Sequence, residues 1–371
     1  MIIFDSNLKF TTQKSTMTKR GTFINLTTDI ILFLFINFFL CSQLFAQTEK
    51  PLRFVFYNVE NFFDTQVDST REYNAFTPDG DQRWTFSRYI AKRASLFKTI
   101  VAVGEGEPPA FIGFCEVENE FVLNDLIYRT PLKQYDYQVV HYESNDRRGI
   151  DVALMYRKSY LTLIGSEAIV VADPKDPGFV TRDILFAAFL AGQTDTVYTY
   201  INHWPSRYGG QLESVERRML AALTLRKHID SLVAVHPQAK IVIMGDLNDT
   251  PQDDSILNGL RAFAPSDVKQ PDDLVHLFTS ATDLGYEGTI KYLHSWQIFD
   301  HMIVTKALFN ANSGLQYRHE SARIFSAPFL LMDDDRYLGK KLNRTYTGPT
   351  YLGGLSDHLP VYIDLDWIDQ P

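Results

Sequence analysis

The chain has 371 residues, 45% of them hydrophobic and 22% charged, with a formal net charge of −9 and a pI near 5.5. That balance belongs to a folded globular protein rather than a disordered one. It also excludes a protein that coats nucleic acid by bulk charge, because such binding rests on Lys and Arg neutralising phosphates.

Near the start, Lys19 and Arg20 precede the apolar run Ile30–Leu40, and the short stretch CSQLFAQ follows. This is the layout of a secretory signal peptide over residues 1–46. The run is about eleven residues long, against the roughly twenty that cross a bilayer as a helix. Export to a secreted or periplasmic location is therefore expected, without stable membrane insertion. Met17, followed by TKRG, is an alternative start. Cleavage after Ala46 puts a small residue at the cut, although Leu44 is bulkier than the usual pattern. Lipid anchoring through Cys41 is the weaker reading, since Phe39 and Leu40 before it are bulky. Once Cys41 leaves with the leader, Cys115 stands alone and no intrachain disulfide can form.

From Arg53 onward no repeat, linker or charge block divides the chain, so residues 50–371 read as one domain. Its recurring unit is an apolar strand that ends in polar residues. RFVFYNVEN ends at Asn58, Glu60 and Asn61, and AFIGFCEVEN ends at Glu116, Glu118 and Asn119. GIDVALMYR alternates like a half-buried strand, and TVYTYINHWPSR delivers His203 before a proline stops it. KIVIMGDLND and SWQIFDHMIV follow, and GGLSDHLPVYIDL sets a polar cluster in front of a last strand. Between them, SRYIAKRASLFKTIVAV predicts a helix with Tyr89, Ile90, Ala94, Phe97, Ile100 and Val101 on one face. SVERRMLAALTLRKHIDSLVAV predicts a second, longer one. Mixed strands and helices to the C-terminus define an α/β or α+β layered protein.

Each polar cluster has a plain reading beside its chemical one. Asp246 and Asn248 lie two apart and can share a strand face, with Gly245 allowing close approach, but DLND also suits a turn. Asp249 falls on the other face and reads as a turn or cap residue. Asp357 and His358 could equally cap a loop through Ser356 or Asp357. Adjacent side chains diverge, so the partner that orients His358 is assigned to Asp300 rather than to its own neighbour. His203 taken alone reads as a core histidine. Glu116 does not read as core, because a carboxylate straight after five largely apolar residues is costly to bury unpaired. The clusters supply carboxylates, amides and histidines with one cysteine, which suits Mg²⁺ or Mn²⁺ better than a structural zinc. No H-E-x-x-H, P-loop or G-x-S-x-G motif occurs. Metal-assisted hydrolysis of a phosphate ester remains.

Taken in order, YNVEN, GFCEVEN, RRGIDVALMYR, NHWPSR, GDLND, FDHMIV and GLSDHLPV resemble the endonuclease/exonuclease/phosphatase family, the DNase I-like superfamily, over nearly all of the chain after the leader. The resemblance implies a four-layered sandwich, with two mixed β-sheets packed face to face and flanked by helices, and a site where strand ends converge at one rim. It implies that Asn58 and Glu116 hold a divalent ion, Mg²⁺ with Mn²⁺ or Ca²⁺ as substitutes, and that Asp357 lies near it. Asp246 and Asn248 would orient water and phosphate, His203 and His358 would donate to non-bridging oxygens, and Asp300 would orient His358. The family leaves the general base open between the positions of Asp246 and His358. Glu60 departs from an aspartate found in some members, as ligand or support. Arg207, in a longer and more basic NHWPSRYGG, and Arg344, Tyr346 and Tyr351, before SDH, are candidates for substrate contact or plain surface loop. The implied activity is that of an exported, monomeric, metal-dependent phosphodiesterase, foremost a nuclease on DNA or RNA. The alternatives are a phosphatase or phospholipase C-like enzyme on inositol phosphates or sphingomyelin-type lipids, and a non-catalytic binding protein on the same fold.

Overall fold

The apolar runs become strands, and the amphipathic stretches helices, in the computed structural model, which describes residues 50–368 apart from 72, 193, 208–209 and 280–283. The leader, its cleavage site and Cys41 lie outside the described residues. Among the described residues no helix is long and apolar enough to cross a membrane. In chain order the strands of two large sheets are β1 (Leu52–Phe62), β2 (Phe111–Val117), β3 (Tyr137–His141), β4 (Asp151–Arg157), β5 (Leu161–Ile169), β6 (Ile184–Ala191), β7 (Asp195–His203), β8 (Lys240–Asp246), β9 (Ala262–Phe263), β10 (Leu274–His276), β11 (Asp300–Val304), β12 (Gly314–Tyr317), β13 (Arg323–Ile324) and β14 (Val361–Ile368). The longer helices are α1 (Phe86–Val103), α2 (Glu120–Tyr128) and α3 (Gln211–Val235).

The first sheet runs β12-β14-β1-β2-β4-β3, with β13 also paired to β14, and the second runs β5-β6-β7-β8-β11-β10-β9. Both are mixed. Each has a parallel pair at its centre, β1 with β2 and β7 with β8, between antiparallel neighbours. Parallel neighbours end at the same edge, so each central pair delivers two C-terminal residues to one rim. The registers Asn58↔Cys115 and His203↔Asp246 express this, and antiparallel β11 begins at the same rim with Asp300 opposite Asp246.

Period-two alternation then decides which side chains face inward. On β8, Val242 and Met244 join the core between the sheets, while Ile241 and Ile243 pack outward with Ala222, Leu225 and Ile229 of α3. Asp246 continues the inward row of Met244. On β11, Met302 and Val304 are inward and Ile303 outward, which puts Asp300 on the inner face too. The sheets approach closely at Gly113, where an added Cβ would stand 2.8 Å from Ile201 Cδ1 and 2.8 Å from Met244 Sδ. Each large apolar side chain buried in this layer contributes about 1.5–3 kcal/mol.

Three expectations change in detail. GIDVALMYR is buried on both faces from Asp151 to Tyr156, not half-exposed, because both sides of its sheet are covered. SWQIFDHMIV is not one strand: Ser295–Gln297 pairs back on Ile290–Tyr292 as a hairpin, and β11 starts only at Asp300. The buried face of α1 is Tyr89, Lys92, Leu96, Thr99, Ile100 and Val103, which keeps Tyr89 and Ile100 of the predicted stripe but leaves Ala94 exposed and Ile90, Phe97 and Val101 only partly buried. The rotation accommodates Lys92, whose ammonium is hydrogen-bonded inside the protein.

Candidate active site

Six of the expected residues meet at the rim in one buried polar group. Asn58 Nδ2 donates to Asp246 Oδ2 at 3.1 Å, an amide of one sheet to a carboxylate of the other. Nε2 of His203 and Nε2 of His358 each lie 3.7 Å from the same oxygen. Nδ1 of His358 is 2.7 Å from Asp300 Oδ2, so Asp300 and not the adjacent Asp357 is its partner. The Asn248 amide N–H donates to Asp246 Oδ1 at 3.0 Å, and Asn248 Nδ2 donates to the Trp204 carbonyl at 3.0 Å. Gly245 is required behind this group, since a Cβ there would stand 2.5 Å from the Asn202 carbonyl oxygen.

Backbone geometry re-aims the side chains where the strands end. Glu60, Asn61, Glu116 and Asn248 have φ of 45°, 57°, 61° and 52°, in the left-handed region that non-glycine residues rarely adopt. The ladder shifts register between Asn58 and Phe62 on β1 and between Cys115 and Val117 on β2. Paired bulges of this kind turn a side chain out of its alternation. Here they bring the Asn61 amide to Glu116 Oε2 at 3.0 Å.

Beside the buried group stands a set of carboxylates balanced by cations. Arg148 Nη2 lies 3.5 Å from Glu116 Oε2 and donates to Asn61 Oδ1 at 2.5 Å. Arg344 Nη2 is 2.8 Å from Asp357 Oδ2 and 3.3 Å from Glu60 Oε1. Glu60 also accepts from the Thr345 amide at 2.7 Å and the Tyr346 amide at 3.4 Å, so its carboxylate anchors the 344–346 segment. Below it, Lys92 Nζ donates to the Glu60 carbonyl, to Thr345 Oγ1 at 2.7 Å and to the Leu355 carbonyl at 3.0 Å. Ser356 Oγ donates to the Asn58 carbonyl at 2.7 Å and accepts from the His358 amide at 3.0 Å. Ser356 thus ties the last loop to β1 immediately before Asp357.

Burial and charge push the titrating groups apart. Burial raises the Asp246 carboxyl to about 7, against the pull of His358 and with that of Asp300. Burial would lower His358, but Asp300 and Asp246 outweigh it and hold the imidazole well above its usual range. His203 is held well below that range by burial and by the cations Arg182 and Arg148. Burial and the neighbouring Asp357 raise Glu60 to about 7, and burial lowers Lys92 to about 8. Burial works against ionised Asp357, yet Arg344, His358 and Lys92 keep its carboxyl below the ordinary value.

A divalent ion fits the donor chemistry. Glu116 uses Oε2 for Asn61 and Arg148, and no described residue hydrogen-bonds its Oε1. Among the described residues the side-chain Oδ1 of Asn58 accepts only from the Glu60 amide, which leaves a lone pair. Mg²⁺ takes one or two carboxylates and keeps several waters, so an oxygen set of Glu116 and Asn58 with Asp357 nearby suits it. Groups of three potential ligand residues with atoms within 4.8 Å are Asp246, Asp300 and His358; Cys115, His203 and Asp246; and, away from this network, His141, Glu143 and Asp151.

Two of the expected substrate contacts are placed differently. Arg207 lies behind the Asn248 turn: Nε donates to the Asn248 carbonyl at 2.8 Å and Nη2 to Asp249 and Asp253 at 3.0 and 2.7 Å. Its donors hold a backbone turn instead of facing a phosphate. The Tyr346 hydroxyl donates to the Gln82 carbonyl at 2.8 Å, and its ring packs against Phe76, Trp84 and Tyr351, so it belongs to the core. Asp249 is more than a cap, being a buried hub that meets Arg207, Arg218 at 2.7 Å and Ser255. Sequence reasoning missed Lys92, Arg148 and Arg182. Lys92 could have been found as a cation four residues before Leu96 on the buried face, and Arg148 stands in the quoted RRGID, but nothing local marks Arg182.

The sequence profile described as "Endonuclease/Exonuclease/phosphatase family" matches residues 53–367. No curated protein matches the chain. Among solved structures, an endonuclease/exonuclease/phosphatase from Bacteroides vulgatus aligns at 16% identity and a TM-score of 0.52, covering 86% of this chain and 100% of that one. A conserved protein of unknown function from Enterococcus faecalis V583 aligns at 14% and 0.51, covering 85% and 100%. The catalytic domain of human Nocturnin, with bound sulfate, aligns at 13% and 0.50, covering 86% and 95%. At these identities the likeness is one of fold.

Proposed function

We propose, from the premise that this chain belongs to the endonuclease/exonuclease/phosphatase family, that it is an exported, divalent-metal-dependent phosphodiesterase and foremost a nuclease. Family members are hydrolases of phosphate esters. The observation that carries the reading is the buried Asp246 carboxylate, approached by Asn58 and by two histidines, one of them backed by Asp300 at 2.7 Å. The leader supports export.

In this reading Asp246 takes the proton of the attacking water, because a carboxyl raised to about 7 is a base matched to neutral pH. His358, held as imidazolium by Asp300, donates to a non-bridging oxygen as charge builds on the phosphoryl group. His203, held neutral, donates a second hydrogen bond, and Asn248 orients the phosphate. Glu116 and Asn58, with Asp357 nearby, would hold the divalent ion, which when bound supplies charge neutralisation to the anionic substrate. The chain's part is to hold water and phosphate in line, with acid and base fixed by burial.

A second reading is favoured by one observation. The hairpin whose Ile290 pairs with His358 carries Tyr292 and Leu293, 69% and 48% exposed, and Lys291 ties it to the neighbouring hairpin that carries Leu338, 83% exposed. Apolar tips beside the rim suit a phosphoester at a lipid surface. One panel tests both: supercoiled and single-stranded DNA, RNA, inositol phosphates and sphingomyelin vesicles, each with Mg²⁺ or EDTA. EDTA-sensitive cleavage of nucleic acid is expected. Release of phosphocholine or inorganic phosphate alone would replace the nuclease reading, and no hydrolysis of anything would refute both.

A further inference from the structure

We propose that Arg148 and Arg344 are exchange cations, which neutralise the carboxylates Glu116 and Asp357 in the metal-free protein and turn to the substrate phosphate once a divalent ion takes those carboxylates. The inference rests on the metal assignment made above and adds an opposition between metal and substrate binding. Both side chains are 42% exposed, whereas Lys92 and Arg218 nearby are buried with fixed partners. Arg148 reaches in from the loop before β4 and Arg344 from the segment before Tyr346, so they approach the carboxylates from different parts of the chain. Arg148 is the ion partner of Glu116 at 3.5 Å, and Arg344 is the ion partner of Asp357 at 2.8 Å and of Glu60 at 3.3 Å. Each also interacts electrostatically with the carboxylate held by the other.

Five carboxylates crowd this end of the sandwich, Glu60, Glu116, Asp246, Asp300 and Asp357, in a chain of net charge −9. An anionic phosphate would be repelled unless local cations face it. A divalent ion on Glu116 repels a guanidinium 3.5 Å from the same carboxylate, and the weakened pair frees a planar fork of donors suited to phosphate oxygens. Each arginine should therefore oppose the metal and favour the substrate. A residue that merely supports the fold would weaken both.

The test is Mn²⁺ titration by calorimetry without substrate, together with steady-state KM on an oligonucleotide phosphodiester at saturating Mg²⁺. The variants are Arg148→Gln, Arg344→Gln, Arg344→Lys and, as metal-site control, Glu116→Gln. Both glutamine variants are expected to bind Mn²⁺ about two- to fivefold more tightly, the scale of an exposed ion pair. Their KM is expected to rise about tenfold or more, the scale of a lost charged hydrogen bond. Arg344→Lys, which keeps the charge, should hold wild-type Mn²⁺ affinity. Unchanged or weaker Mn²⁺ binding in both glutamine variants, with Glu116→Gln still abolishing it, overturns the exchange alone. Mn²⁺ binding that is absent from the wild type, or indifferent to Glu116→Gln, overturns the metal assignment and the exchange with it.

Discussion

Replacing Asp300 by asparagine tests the acid assigned to His358 with the least change of shape. The carboxylate oxygen lies 2.7 Å from His358 Nδ1, and Asp300 is fully buried. At that distance a charge pair is worth about 6 kcal/mol for an effective dielectric near 20. Even a third of this, about 2 kcal/mol, moves the histidine down by more than one pK unit. An asparagine nitrogen facing Nδ1 would also force the other tautomer, putting the proton on Nε2 of a neutral ring. We therefore expect kcat to fall about 10²–10⁴-fold, the range for disturbing a carboxylate-oriented general acid or base. The loss should be greatest on the alkaline side, where the wild-type imidazolium persists and the variant's does not. The assay is the pH dependence of kcat from pH 5 to pH 9 at saturating Mg²⁺, with the His358 ring followed by NMR. A kcat within threefold of wild type and an unshifted profile would refute the reasoning, because His358 would then be charged without Asp300 or would not act as the acid.

Two further outcomes follow from burial. In the metal-free protein Asp246 binds its proton more tightly folded than unfolded, about 7 against the model-peptide value of 3.8. Its contribution to stability is therefore full below about pH 4 and is lost as pH rises through 7. Asp246→Asn should stabilise the EDTA-treated protein by about 1–3 kcal/mol at pH 8 and not at pH 4 in thermal melts, while abolishing activity; equal melting curves at both pH values would contradict it. Lys92→Met strands three buried acceptors and an unbalanced Glu60, so urea unfolding should show a loss of about 3–5 kcal/mol. Adding Glu60→Gln should return part of that loss, and a purely additive double variant would show that the two residues are not coupled.

The sequence by itself determined the ends of strands. Because a strand alternates and an apolar run must be buried, Asn58, Glu116, His203, Asp246 and Asp300 could be read as polar residues delivered at the close or the start of buried strands. That His358 pairs with Asp300 could be argued from the divergence of adjacent side chains, and the structure has them at 2.7 Å. Only the tertiary structure decided which strands run parallel and therefore bring their ends to one rim, since strand order is a property of long-range pairing that no local pattern encodes. It also decided where the cations go. Lys92, Arg148 and Arg344 lie from 13 to more than 200 residues away in sequence from carboxylates they balance, and Arg207, expected at a phosphate, instead holds the Asn248 turn. A charge finds its partner through space, by the cost of leaving it unpaired inside a low-dielectric interior, and that cost is fixed only when the chain has folded.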